Sequence, residues 1–238
     1  MIKCNACGNE LDFNEAEEKL ARGYMEDGIV ILCDNCVGIK EKINKSDSQI
    51  AVLCGFSGAG KDELAKKLNE EYGYNFVIST TTRPKRVGES QGNPYHFVTE
   101  EYFNTLVNTN KLIEHRKYVT KVNGVNDIWH YGVTEDEIED DKRYVVVLDL
   151  LGLKEFKKKF GNRITSFFID VDEKTRKERA QKRDKNFCEI EWNRRYEDDK
   201  KQFPVQLVEK EVDYIVENYD LESAFYEILS KITEKRML

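Results

Sequence analysis

Residues Gln49–Cys54 are apolar almost without a break, which predicts a buried strand, and the segment from Lys61 to about Tyr72 reads as a helix. A glycine-rich loop joins the two. The longest apolar run, Tyr144 to Leu153, is interrupted by Asp149 and falls short of the roughly 18 to 20 residues that cross a bilayer. No membrane span is expected. Lys174 to Lys201 is a charge-rich helical stretch, where most charges pair at i,i+4 or face solvent. Asn123-Gly124 predicts a hairpin turn. Near the start of the chain, Glu15 to Tyr24 reads as a short helix and Ile29 to Leu32 as a strand.

At 238 residues, with 39% hydrophobic and 35% charged positions, the chain is long enough to bury a core beneath a heavily charged surface. One or two domains are expected. The formal charge of -7 argues against non-specific binding to nucleic acid. The N-terminus carries no apolar signal region, so the cytoplasm is the expected compartment.

Four cysteines form two identical spacings, Cys4-Asn5-Ala6-Cys7 and Cys33-Asp34-Asn35-Cys36, with twenty-five residues between them. Two residues between thiolates let one tight turn offer both sulfurs to one ion, and Gly8 and Gly38 give each turn backbone freedom. Four thiolates predict a closed, structural zinc site in a ribbon-like module at 1–46. Two disulfides or two redox pairs are the alternatives; a cytosolic chain disfavours the first, and no thioredoxin-like unit supports the second. The module's residues are more acidic than basic, so packing against the core or contact with a protein partner is expected ahead of nucleic acid. Ser46-Asp47-Ser48 reads as the joint to the second unit, 47–238.

The loop reads Gly55-Phe56-Ser57-Gly58-Ala59-Gly60-Lys61-Asp62. Its glycines let backbone N–H groups converge on phosphate oxygens, the helix N-terminus adds partial positive charge, and Lys61 reaches the terminal phosphates. The pattern normally ends in Ser or Thr, whose hydroxyl helps hold magnesium. Asp62 stands there, and its carboxylate would meet the cation directly or through water. The candidate phosphate-binding set is therefore Gly55, Ser57, Gly58, Ala59, Gly60, Lys61 and Asp62, with Mg2+ accompanying the phosphates.

Downstream, the segment Ser79 to Phe97 combines Arg83 and Arg86 with Ser79 and Tyr95, a set suited to a second anion. Read with the phosphate loop, it resembles the guanylate kinase family, whose members pass the terminal phosphate of ATP to GMP. The resemblance covers about residues 49 to 236. It implies a P-loop α/β core with a parallel sheet, an inserted mostly β lobe for the nucleoside monophosphate at about 80–133, and a helical lid at about 173–203. Glu114, within Ile113-Glu114-His115, resembles the glutamate that accepts hydrogen bonds from guanine N1 and N2. Tyr131, before Gly132, resembles the tyrosine that joins the monophosphate site. Asp149 falls on one of two strand-end acids, near the acceptor and the magnesium or water shell; Val147 replaces the other. Arg183 and Arg194 match the lid arginines by spacing, with Arg179 one turn earlier. Asp213 to Asn218 looks like the last strand and the loop framing adenine, followed by a helix at Leu221 to Ile232.

The pattern also breaks. The family has Ser or Thr after the Tyr-Gly pair to contact guanine O6, and Val133 offers no such bond. The segment from Lys121 to His130 is an insertion, and Asn126, Trp129 or His130 is the expected source of a replacement base contact. His96, His115 and His130 read as neither ligands nor bases. Two rivals stand beside a nucleoside monophosphate kinase: a kinase for another acceptor, since Gly-Lys-Asp also resembles ribose bisphosphate phosphokinases, and a non-catalytic guanylate-kinase-like domain that binds a protein. The set of Arg83, Arg86, Tyr95 and Glu114 weighs against the first, and Lys61 with the lid arginines against the second.

Overall fold

A computed structural model describes residues 2–3, 10–11, 24–25, 28–29, 49–85, 88–122, 125–140, 142–184 and 187–235. The four cysteines of the paired spacing, residues 15–23 of the expected helix and Arg86 lie outside the described residues; Tyr24, expected to end that helix, is in a strand instead. Within 2–29, β1 (Ile2–Lys3) pairs antiparallel with β2 (Glu10–Leu11), and β3 (Tyr24–Met25) with β4 (Gly28–Ile29).

The expected strand at 49–54 is β5 (Ile50–Cys54), every residue of which is buried. It is the middle of a five-stranded parallel sheet with β6 (Asn75–Phe76), β12 (Tyr144–Val147), β13 (Ile164–Asp170) and β14 (Tyr214–Glu217), in the order β14-β13-β5-β12-β6. The two-residue period of a strand divides its side chains between two apolar layers. Ala51 and Leu53 face a layer with Leu64, Leu68 and Phe225, supplied by α1 (Lys61–Tyr72) and α7 (Leu221–Lys235). Ile50, Val52 and Cys54 face the opposite layer with Leu153, Phe156 and Val208, supplied by α3 (Leu150–Phe160) and α6 (Val205–Glu211). Each fully buried side chain of this kind contributes about 1.5–3 kcal/mol, so the sheet is held from both sides.

Between β6 and β12 the chain builds a second sheet. Its order is β10-β11-β7-β9-β8, from β7 (Thr80–Thr81), β8 (Ser90–Gln91), β9 (Pro94–Phe97), β10 (Leu112–Val122) and β11 (Val125–Thr134). The lobe expected at 80–133 thus ends one residue later. The inserted segment is the tip of the β10/β11 hairpin, where Val122 pairs with Val125 around Asn123-Gly124. The helix α2 (Glu100–Asn108) lies against this sheet through Phe103, whose ring meets that of His130 at 5.2 Å. The charge-rich stretch forms two helices, α4 (Glu173–Arg183) and α5 (Glu189–Gln202). Among the described residues, no helix is long and apolar enough to cross a membrane.

Candidate functional site

The loop between β5 and α1 leaves a helix start open. Thr99, Asp149 and Asp172 cap α2, α3 and α4 with side-chain oxygens, whereas α1 begins at Gly60 (φ 92°) with no side-chain cap. First-turn N–H groups without such a cap form a ready anion site. Gly58 has φ 83°, and a Cβ there would sit 2.8 Å from the Arg176 carbonyl oxygen, so the loop's path against α4 admits only glycine. Lys61 Nζ folds back to donate to Gly55 O at 2.7 Å and Phe56 O at 3.0 Å. Burial of the ammonium pulls its pKa down, opposed by the charges of Asp62 and Asp199. Asp62 is exposed in the first turn, available as an oxygen donor to a hard cation.

The remaining loop contacts are braces. Asn218, expected beside adenine, is buried and donates its amide to Ala59 O at 2.7 Å. Arg179 donates to the carbonyls of Asn218 and Tyr219 at 2.7 and 3.3 Å. Arg176 stacks over Phe56, 4.6 Å from its centroid, and donates to Val171 O. Buried Asp199 on α5 accepts a 2.7 Å hydrogen bond from the Ser57 N–H. A 220 Å³ cleft beside Ser57 and Gly58 is lined by Arg183, Trp192 and Arg195. Arg194 is not among its lining residues: its guanidinium is held by Glu191 and Asp198 on the exposed side of α5. Arg195 bonds the same Glu191 at 2.8 Å, so one carboxylate holds both adjacent guanidiniums beside the cleft that Glu191 also lines. Arg176, Arg195 and Asp199 went unnoticed in the sequence because each sits in a run of charges that looks uniformly solvated.

The lobe sheet turns one face toward the core. Alternate residues Glu114, Arg116 and Tyr118 of β10 lie opposite Val133, Tyr131 and Trp129 of β11. Tyr131 packs edge-on against Tyr95 at 5.6 Å and Tyr118 at 5.5 Å. Buried Arg83 stacks on Tyr95 and Phe97 and donates to Glu89 at 2.8 Å. Ser79 is half-buried where its carbonyl accepts from His96 N. Glu114 is 8% exposed, and burial pushes its carboxyl up to about 7, with Arg116 opposing and Asp149 reinforcing the shift. Asp149 caps α3 through Gly152 N at 2.7 Å and takes a two-pronged contact from Arg116 at 3.1–3.3 Å.

This pair ties the lobe to the strand end beside the phosphate loop, because Leu148 N bonds Leu53 O. Arg116 was not singled out in the sequence, although Glu114-x-Arg116 on a strand puts both side chains on one face. Val133 is fully buried in the apolar layer of Ile50, Val52 and Cys54, as a residue that anchors Glu114's partner strand. Of the inserted residues expected to offer a replacement contact, His130 packs against Phe103 on the other face, and Trp129, across from Tyr118, donates its Nε1 to Asp127 at 2.9 Å. The side chain of Asn126 is outside the described residues. A larger cavity, about 1150 Å³, lies on the lobe around Thr82, Lys85, His96 and Lys111. Its lining includes no phosphate-loop residue, so chemistry and not volume locates the site.

A family model described as guanylate kinase matches residues 47–235. The guanylate kinase of Legionella pneumophila (strain Paris) is 30% identical over 203 residues, spanning 82% of this chain and 90% of that protein. That of Thermotoga maritima is 31% identical over 194 residues, spanning 79% of this chain and 87% of the relative. A crystal structure of guanylate kinase from Anaplasma phagocytophilum superposes with a TM-score of 0.55 at 26% identity, over 82% of this chain and 89% of that one. With an uncapped glycine-loop helix facing a lobe that carries a buried glutamate and an arginine–tyrosine cluster, and with the family match spanning both, the chain belongs to the guanylate kinase family.

Proposed function

We infer that the protein transfers the terminal phosphoryl group of ATP to GMP, giving GDP and ADP, with dGMP as the related acceptor. The observation that carries this reading is the pairing of two anion-suited sites: the uncapped start of α1 with Lys61, and the Arg83–Tyr95–Tyr131 cluster beside buried Glu114. Arg116 and Asp149 link their supporting elements. Such transfer needs little covalent chemistry from the protein, and rate comes from alignment and charge stabilisation.

In this reading Lys61 leaves the Gly55 and Phe56 carbonyls to meet the donor's terminal phosphates, while loop N–H groups hold the rest. Arg83, Arg86, Ser79, Tyr95 and Tyr131 hold the acceptor's phosphate. Glu114 accepts hydrogen bonds from its base. Arg179, Arg183 and Arg194 arrive with the lid and stabilise the moving phosphoryl group, with Arg195 beside Arg183 in the lining of the cleft next to the loop. Lid closure excludes water. Asp62 would hold Mg2+, which supplies charge neutralisation on the donor phosphates.

Assay with Mg-ATP against GMP, dGMP, AMP, CMP, UMP and ribose bisphosphate tests the assignment. Turnover concentrated on GMP and dGMP is expected. Preference for another acceptor would replace the substrate, and silence throughout would favour a protein-binding domain. The spacing of Cys4, Cys7, Cys33 and Cys36 supports a structural zinc in the N-terminal module. One equivalent of zinc is expected after anaerobic purification; less than about half would remove the proposal.

A further inference from the structure

We propose that Arg116 reads the acceptor base directly, donating to the O6 carbonyl of guanine and so selecting 6-oxopurine monophosphates. This rests on the acceptor being a nucleoside monophosphate held at Glu114.

The argument begins with unused donors. A guanidinium has five N–H bonds. Arg116 commits Nε and one Nη2 hydrogen to Asp149, at 3.1–3.3 Å, and one Nη1 hydrogen to His115 O at 2.7 Å. One hydrogen on each Nη has no hydrogen-bond partner among the described residues. Nη1 lies 3.5 Å from Glu114 Oε2, too long for a good hydrogen bond. The fork is therefore fixed in place by Asp149 while keeping donors beside the buried carboxylate. Its side chain is about one-fifth exposed, so a ligand can reach it.

The pairing matches one base edge. Guanine presents an acceptor, O6, next to two donors, N1–H and N2–H. A carboxylate satisfies the donors, and an adjacent guanidinium satisfies the acceptor, as Arg does with guanine O6 and N7 elsewhere. Adenine reverses the pattern at N1 and C6, so its amino group would face the Arg116 donors with nothing to accept them. Val133, directly across the ladder from Glu114, is apolar and wholly buried, so this position cannot donate to O6. Arg116 is the nearest donor on the same strand face.

The test compares GMP, IMP and AMP in wild type and Arg116→Met. IMP keeps O6 and N1–H but lacks the N2 amine. If Arg116 donates to O6, the variant loses kcat/KM for GMP and IMP together, by roughly 10- to 100-fold, and its preference for GMP over AMP falls by a similar factor. The ATP KM stays unchanged. If Arg116 only holds Asp149, kcat/KM falls for GMP, IMP and AMP alike, the GMP-to-AMP ratio is unchanged, and the proposal fails. Repeating the comparison at pH 9 separates direct contact from an effect through Glu114 ionisation: the loss must persist there. A melting curve and the partial activity expected of Arg116→Lys guard against misfolding. No turnover of GMP by the wild type would instead sink the parent reading.

Discussion

Lys61→Ala is expected to lower kcat by about 100- to 1,000-fold, the scale seen when one preorganised donor is removed from a developing charge. The fold should survive the change. Among the described residues the ammonium donates to two loop carbonyls, and burial disfavours its charge. Removing it costs no apolar packing in either layer around β5. Melting temperature should therefore move by only a few degrees while turnover collapses. A Lys61→Ala protein with near wild-type turnover of GMP would remove Lys61 from the catalytic set and reopen the binding-domain reading.

The second large effect is at Glu114, and it carries a pH signature. Glu114→Gln should raise the GMP KM by about 10- to 100-fold, because a buried acceptor that serves two donors becomes partly a donor itself. The ATP KM should hold. Since the wild-type carboxyl sits at about 7, kcat/KM for GMP should fall as pH drops below that value, and the Gln variant should lack this limb.

Stability should move the opposite way. A carboxyl raised from 4.5 to about 7 binds its proton more tightly in the folded chain than in the unfolded one. Its contribution is fully present below about 4.5 and is lost as pH rises through about 7. At pH 8 Glu114→Gln should be the more stable protein, by at most roughly 3 kcal/mol, and near pH 4 the two should melt alike. Equal melting at both pH values would show that Glu114 is not buried as a charge. The binding and stability readouts thus oppose each other at pH 8, which no general loosening of the lobe would produce.

What the chain reveals on reading depends on how locally each feature is encoded. Strand β5, the glycine loop and α1 are contiguous, and residue period and glycine spacing suffice to place them. The acceptor face is scattered from Ser79 to Asp149, so only resemblance to a family assembles it, and resemblance carries no information about Arg116 where the match is not a motif position. Its link to Asp149 joins β10 to the cap of α3, and nothing local in either segment announces it. Asp199 is harder still, since it touches Ser57 across most of the chain from within a helix whose neighbours are solvated charges. Asn218 adds a link that no motif announces, since its amide N–H holds Ala59 of the glycine loop from the far end of the chain.

The order of strands in the core sheet governs how the molecule comes to be folded. Ile50 pairs with both Tyr144 and Ile164, so β5 has no neighbour in the sheet until the chain through Val147 exists, and is flanked on both sides only once β13 follows. The β10/β11 pairing, by contrast, joins residues close in sequence, all within Leu112–Thr134. During synthesis the lobe is free to form first, while β5 waits with its apolar faces uncovered, a slow and aggregation-exposed route typical of parallel sheets closed over long sequence separations.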